Sequence, residues 1–183
     1  MKLWTIQPIE AIKEIENKGY YSTNIEEIDL DFIKSYDWIV EKMKNTIGDA
    51  PEGIKYPLWA WHTYNGKHQR PDFRNSGYAK RGSNLCCIEF EIEENKVLLS
   101  DFDSWHIVLN NGFYFDFENE KESSKKYENI LKLPKEEQQK EKVKTWDKVF
   151  INKENLSNTN YIQATFWKLE KEKITDIKKF VAK

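Results

Sequence analysis

The sequence predicts an α+β protein of one domain, built on a mainly antiparallel sheet with flanking helices. Two observations lead there. Segments that read as strands cluster in the middle of the chain and at both ends, with helical spacing confined to the stretches between them, so the regular strand–helix alternation of a parallel sheet is absent. In addition, neither a linker nor an internal repeat divides the 183 residues, a length that suits one well-buried core.

The elements follow in order. Leu3 to Gln7 reads as a short strand, and Pro8 stands at the first position of a helix that carries Ile9, Ile12 and Ile15 and stops at Gly19. Asp31 is placed to cap a longer helix in which Phe32, Tyr36, Ile39, Val40, Met43 and Ile47 recur at helical spacing before Gly48. After the turn GDAPEG, the segment YPLWAWHTY reads as an aromatic strand, with Leu58, Ala60 and His62 alternating against Trp59, Trp61 and Thr63. Residues Gly66 to Ser83 lack a sustained apolar period and read as a long loop, a length that is uncommon without a purpose. Ile88, Phe90 and Ile92 then alternate with Cys87, Glu89 and Glu91, and EENK reads as the turn of a hairpin into Val97, Leu98 and Leu99. Asp101 or Asp103 can cap a short helix through Trp105, Val108 and Leu109, closed by Asn110, Asn111 and Gly112.

From Glu118 to Lys144 charge dominates, and Pro134 separates two helices. Tyr127, Ile130 and Leu131 lie on the first, and Val143, Trp146, Val149 and Phe150 on the second. YIQATFWKL reads as a late strand, and Ile174, Ile177, Phe180 and Val181 as a terminal short helix or turn. Aromatic residues make up 14% of the chain, enough packing surface to order a sequence in which 33% is charged. A net charge of −2 gives no global drive toward nucleic acid or an anionic membrane, so any anion site must be local. The only cysteines, Cys86 and Cys87, are adjacent and ill-suited to a structural disulfide. With no apolar run of signal or membrane-spanning length, a soluble protein of the reducing cytoplasm is expected.

One local site stands out. All three arginines, Arg70, Arg74 and Arg81, fall in the stretch GKHQRPDFRNSGYAKRG. Arginine offers a planar fork that grips phosphate or carboxylate at two points, where lysine is a mobile point charge. If RPDFR makes a helical turn, Arg70 and Arg74 project from one side and hold a phosphate with Lys67, Lys80 and Arg81 nearby. The structural alternative pairs Asp72 with one arginine and lays the other over an aromatic ring. Trp59 or Trp61 could stack a flat ring, and Thr5, Gln7 and Gln163 could hydrogen-bond a sugar or base. An imidazole titrates near neutral pH, so His62 and His106 are candidates for acid–base work, each weighed against a hydrogen-bonded structural role. Asp101 and Asp103 are carboxylates at a strand end, weighed against helix capping. The spacing of His62, His68, His106 and the two cysteines matches no zinc ligand pair, so no metal is expected.

LWTIQP, KYPLWAW, RPDFR, VLLSDFDSWHIVLN and YIQATFW, in this order, resemble the bacterial DUF3841 family of unknown function across nearly the whole chain. The opening strand and glycine-ended helix are also similar, at the level of fold, to ADP-ribosyltransferases. Leu3, Trp4 and Thr5 match the first core strand and Gly19 the helix end, while Thr5 and Ile6 stand where those enzymes carry His and Gly. Gln163 occupies the late-strand position where a Glu commonly orients the ribose, and a neutral amide supplies a hydrogen bond but no negative charge. That resemblance implies NAD as the cofactor and ADP-ribosyl transfer or NAD hydrolysis as the reaction to test. The leading expectation is a protein that binds a nucleotide or another phosphate-bearing ligand. The opposing one is a non-enzymatic module for protein or nucleic acid, and a hydrolase using Asp101 or His106 ranks third.

Overall fold

The computed structural model describes residues 1–116, 119–152, 156 and 159–183. Strand β1 (Lys2–Pro8) leads into helix α1 (Ala11–Lys18), which Gly19 ends in the left-handed conformation, at φ 79°, donating its N–H to the Ile15 carbonyl. The two-residue strand β2 (Tyr20–Tyr21) follows, then α2 (Ile33–Ile47), β3 (Leu58–Thr63), β4 (Asn84–Glu91), β5 (Leu98–Asp101) and α3 (Phe102–Leu109). Helices α4 (Glu120–Leu131) and α5 (Lys135–Thr145) form a charged pair, and β6 (Ile162–Phe166), β7 (Leu169–Glu170) and β8 (Ile174–Val181) complete the chain.

The expected α+β class with an antiparallel sheet is what forms. Six strands pair in the order β5-β6-β3-β1-β4-β8, every neighbour antiparallel, and β2 pairs with β7 in a separate ribbon. Alternation along the strands gives the sheet two buried faces. On one, Leu3, Ala60, Ile88, Phe90, Ala164 and Phe166 pack against Ala11 and Ile15 of α1 and against the ribbon. On the other, Trp59 and Leu98 meet Ile39, Val40 and Met43 of α2 and Trp105 of α3, with Trp146 and Val149 closing the layer.

One connection departs from simple antiparallel order. Because β1 is antiparallel to both β3 and β4, those two strands run in the same direction on either side of it. The pairing Trp4 with Trp61 sets the end of β3 beside the start of β1, and Pro8 with Leu85 sets the start of β4 beside its end. Residues 64–83 must therefore carry the chain back along β1, a distance of about 20 Å at the rise of an extended strand. Such a return normally takes a helix. Here an irregular segment does it, resting on the α2-side face through the Phe73 ring stacked on Phe180 at 4.3 Å and the His68 ring edge-on to Trp4 at 5.1 Å. The length of the arginine loop thus has a topological cause.

Several local expectations are corrected. The 88–92 and 97–99 segments do not form a hairpin: β1 and β8 fill both edges of β4, while β5 pairs with β6 at the far side of the sheet. The terminal segment is the edge strand β8, not a helix or turn. Its apolar residues fit either period, and pairing Ile177 with Ile88 and Phe180 with Leu85 decides for the sheet, with Lys178 and Lys179 charging the exposed edge. Pro8 ends β1 instead of opening α1. Asp29, not Asp31, supplies the capping carboxylate before α2, accepting the Asp31 N–H at 3.0 Å ahead of a short 3-10 turn. The second charged helix stops at Thr145, so Trp146 and Val149 sit in a 3-10 turn and Phe150 bridges to Ser100. Glu118, the expected start of the charged stretch, lies outside the described residues. Among the described residues no helix is long and apolar enough to cross a membrane.

Phe90 is fully buried at the centre of the α1-side core, whereas Ile177 on the edge strand is 36% exposed. Phe90→Ala should lower unfolding free energy by about 3–5 kcal/mol in urea titrations and Ile177→Ala by no more than ~1 kcal/mol. Equal losses would contradict this sheet order.

Candidate functional site

The crossover loop is held by its own polar groups. Asn75 Nδ2 lies 2.7 Å from the Tyr64 hydroxyl, which lies 3.0 Å from the Tyr78 hydroxyl, itself 3.0 Å from the Asp72 carbonyl. A carbonyl only accepts, so Tyr78 gives its single proton to Asp72 and receives the proton of Tyr64, which accepts from Asn75. The result is a one-directional chain of three bonds in which each hydroxyl both donates and accepts. Gln69 Nε2 adds a bond to the Tyr64 carbonyl at 3.0 Å.

This framework gives the arginines different surroundings. Arg74 is committed to Asp72: its Nε reaches Oδ1 and Oδ2 at 2.9 and 3.0 Å, and Nη2 reaches Oδ2 at 2.6 Å. Those bonds hold the Asp72 carboxyl down to about 2. Arg70 instead lies over the Phe73 ring, 4.6 Å from its centroid, and makes no ion pair among the described residues. The short turn covers Asp72 to Asn75, with the Asn75 N–H on the Asp72 carbonyl, and Arg70 precedes it. The two guanidinium groups therefore do not act as one clamp. Arg70, Asp72, Arg74, Tyr64 and Tyr161 line an open cleft of about 710 Å³.

Beside the cleft, a row of side chains crosses the α2-side face of the sheet. Strand pairing aligns Trp4 with Trp61, Trp61 with Gln163 and Gln163 with Ser100. Trp61 is half-buried and makes tilted or edge contacts with Tyr64, Phe102 and Tyr161 at 5.0 to 6.3 Å. The buried Ser100 hydroxyl next to Gln163 has no partner among the described residues. Trp59, one row along, packs into the core against Trp105 at 4.9 Å. Of the two tryptophans, Trp61 faces the loop.

Other predicted residues are not gathered here. Thr5 and Gln7 project from the opposite, α1-side face: the Thr5 hydroxyl, fully buried, donates to the Trp59 carbonyl at 2.7 Å and accepts from Gln7 Nε2 at 2.7 Å. Asp101 caps α3 by accepting the Ser104 N–H at 2.7 Å. His106, exposed on α3, places Nδ1 2.8 Å from the Phe102 carbonyl. His62 lies at a bulge of β3 with its ring centroid 4.5 Å from that of His68, whose Nδ1 is 2.6 Å from the His62 carbonyl. Burial, then the neighbouring His68, lowers the His62 pKa to about 4. Burial raises the thiols of Cys86 and Cys87 to about 11 and about 12, so both remain protonated near neutral pH. Sequence reading missed Tyr64, Phe73, Tyr78 and Tyr161. The available signal was the aromatic residues just before the arginine stretch and inside it, Tyr64, Phe73 and Tyr78; Tyr161, distant in sequence, carried none.

The fold and cleft define an α+β protein whose antiparallel sheet carries an arginine-bearing crossover loop beside an aromatic strand. The family described as Domain of unknown function (DUF3841) matches residues 2–175, and the chain belongs to that family. No curated protein and no solved structure matches it.

Two outcomes follow from these contacts. Thr5→Val removes one hydrogen bond and leaves the Gln7 amide without its acceptor, so it should cost about 1–2 kcal/mol in urea unfolding. For His62 the folded-state pKa is the lower one, so the unfolded chain takes up the proton first. Stability should be complete above 6.5 and fall progressively as pH drops toward about 4, and His62→Asn should flatten that part of the denaturation profile.

Proposed function

We propose that the crossover-loop cleft binds a nucleotide or another phosphate-bearing ligand. The observation that carries this reading is Arg70, a guanidinium oriented by the Phe73 face and free of any ion pair among the described residues, in a cleft bordered by Tyr64 and Tyr161. A guanidinium held this way presents its fork with little further ordering. Trp61 and the two tyrosines supply flat apolar surface for a base, and Gln163 in the adjoining row supplies an amide for a sugar hydroxyl. Asp72, already neutralised by Arg74, adds little repulsion toward an anion.

NAD-dependent ADP-ribosyl transfer or NAD hydrolysis is the enzymatic form of this reading. In it Gln163 would orient the ribose. Thr5 and Gln7 have no part, because their hydroxyl–amide pair serves the opposite face of the sheet. A nucleic-acid-binding module is the second reading, favoured by Lys67, Lys80 and Arg81 on the same exposed loop.

Calorimetric titration with AMP, ADP-ribose, NAD and a short single-stranded oligonucleotide separates these readings. A mononucleotide should bind saturably, and Arg70→Lys, which keeps charge but loses the fork, should weaken it about tenfold. Absence of binding by every nucleotide would sink the proposal. Tight binding of the oligonucleotide alone would favour the module, and release of nicotinamide from NAD would establish the enzyme.

A further inference from the structure

A second cavity, lined by none of the crossover-loop residues, lies where the end of α2, the turn after β4 and the β7 strand converge. Its volume is about 230 Å³. The floor is apolar: Ile47, Phe90, Ile92, Trp167 and Leu169 all line it. Trp167 is fixed as one wall by its indole N–H, which donates to the Gly48 carbonyl at 2.9 Å. A cavity of ~150 Å³ accommodates benzene, and drug-sized ligands need ~300 Å³ or more. The space therefore suits one ring or one branched aliphatic group with a small polar end.

The rim decides what that polar end must be. It carries Asp49, Glu93 and Glu170 together with Lys96, Lys168 and Lys173, three charges of each sign. Two pairs are closed, Lys173 with Glu93 at 2.6 Å and Lys168 with Glu170 at 2.8 Å. Asp49 and Lys96 are left, one of each sign, and neither makes an ion pair among the described residues. A ligand with a single charge would meet one complementary group and one repulsive group. A ligand carrying an ammonium and a carboxylate meets both and leaves the existing pairs intact.

We infer that this cavity binds a free amino acid with one apolar side chain, of phenylalanine or leucine size. The side chain enters over Phe90 and Trp167, the ammonium faces Asp49 and the carboxylate faces Lys96. This site is separate from the arginine cleft and stands independently of the nucleotide reading.

The test is calorimetric titration of the purified full chain with L-phenylalanine and L-leucine, alongside phenethylamine and 3-phenylpropionate, which each keep the ring and one charge. At least one amino acid should bind saturably below ~10 mM, with both singly charged analogues at least about tenfold weaker than L-phenylalanine. Asp49→Asn and Lys96→Gln alter exposed rim positions and should each weaken the amino acid about tenfold. The Trp167 indole N–H resonance should shift with ligand in nuclear magnetic resonance spectra. The inference is overturned if neither amino acid saturates, if the analogues bind as well as L-phenylalanine, or if both variants leave affinity unchanged.

Discussion

The placement of β1 between two strands that run in the same direction constrains everything on the α2-side face. Antiparallel neighbours can be joined by a short turn, but β3 and β4 cannot, because the chain leaves one end of β1 and must re-enter at the other. The segment that makes this return has no helix to satisfy its backbone or supply an apolar stripe. It is held instead by separate anchors: the Phe73–Phe180 stack, the His68–Trp4 contact and the hydroxyl chain from Asn75 to the Asp72 carbonyl. Those anchors let an irregular loop keep one arrangement over the sheet.

The same anchors sort the arginines. Asp72 both accepts the end of the hydroxyl chain through its carbonyl and binds Arg74 through its carboxylate, so the Arg74 pair belongs to the loop's framework. With the Arg74 side chain 81% exposed, that pair adds little stability of its own. Phe73 serves the sheet on one side and Arg70 on the other, which couples the orientation of the uncommitted guanidinium to the docking of the loop. The tyrosines that line the cleft also contact Trp61, joining the loop to the aromatic row of the sheet.

Much of this was legible in the residues, and the misses have physical causes. Strong periodicity located α2 and the aromatic strand β3, and glycine placed the ends of α1 and α2 correctly. The 174–181 segment carries apolar residues at spacings that fit a helix as well as a strand, and only its partner β4 resolves the choice. The apparent hairpin failed for the related reason that turn chemistry at 93–96 is local, whereas strand order depends on which edges are already filled. For the site, residue types pointed to the arginine loop, and both halves of the structural alternative are realised there: Asp72 pairs with Arg74, while Arg70 covers an aromatic ring. The grouping of Thr5 and Gln7 with the loop did not survive. Alternation sends Thr5 to the face opposite Trp4, and which face the loop crosses cannot be read from spacing alone.

The central claim is that the framework holds Arg74 so that Arg70 alone meets an anion. The chain's three arginines give three Nε–H resonances in nitrogen-15 spectra, an uncrowded reporter of each guanidinium. Addition of AMP should shift the Arg70 resonance and leave the Arg74 resonance at its Asp72-bound position. A spectrum in which Arg74 or Arg81 responds while Arg70 does not, or in which none of the three moves, would contradict the account.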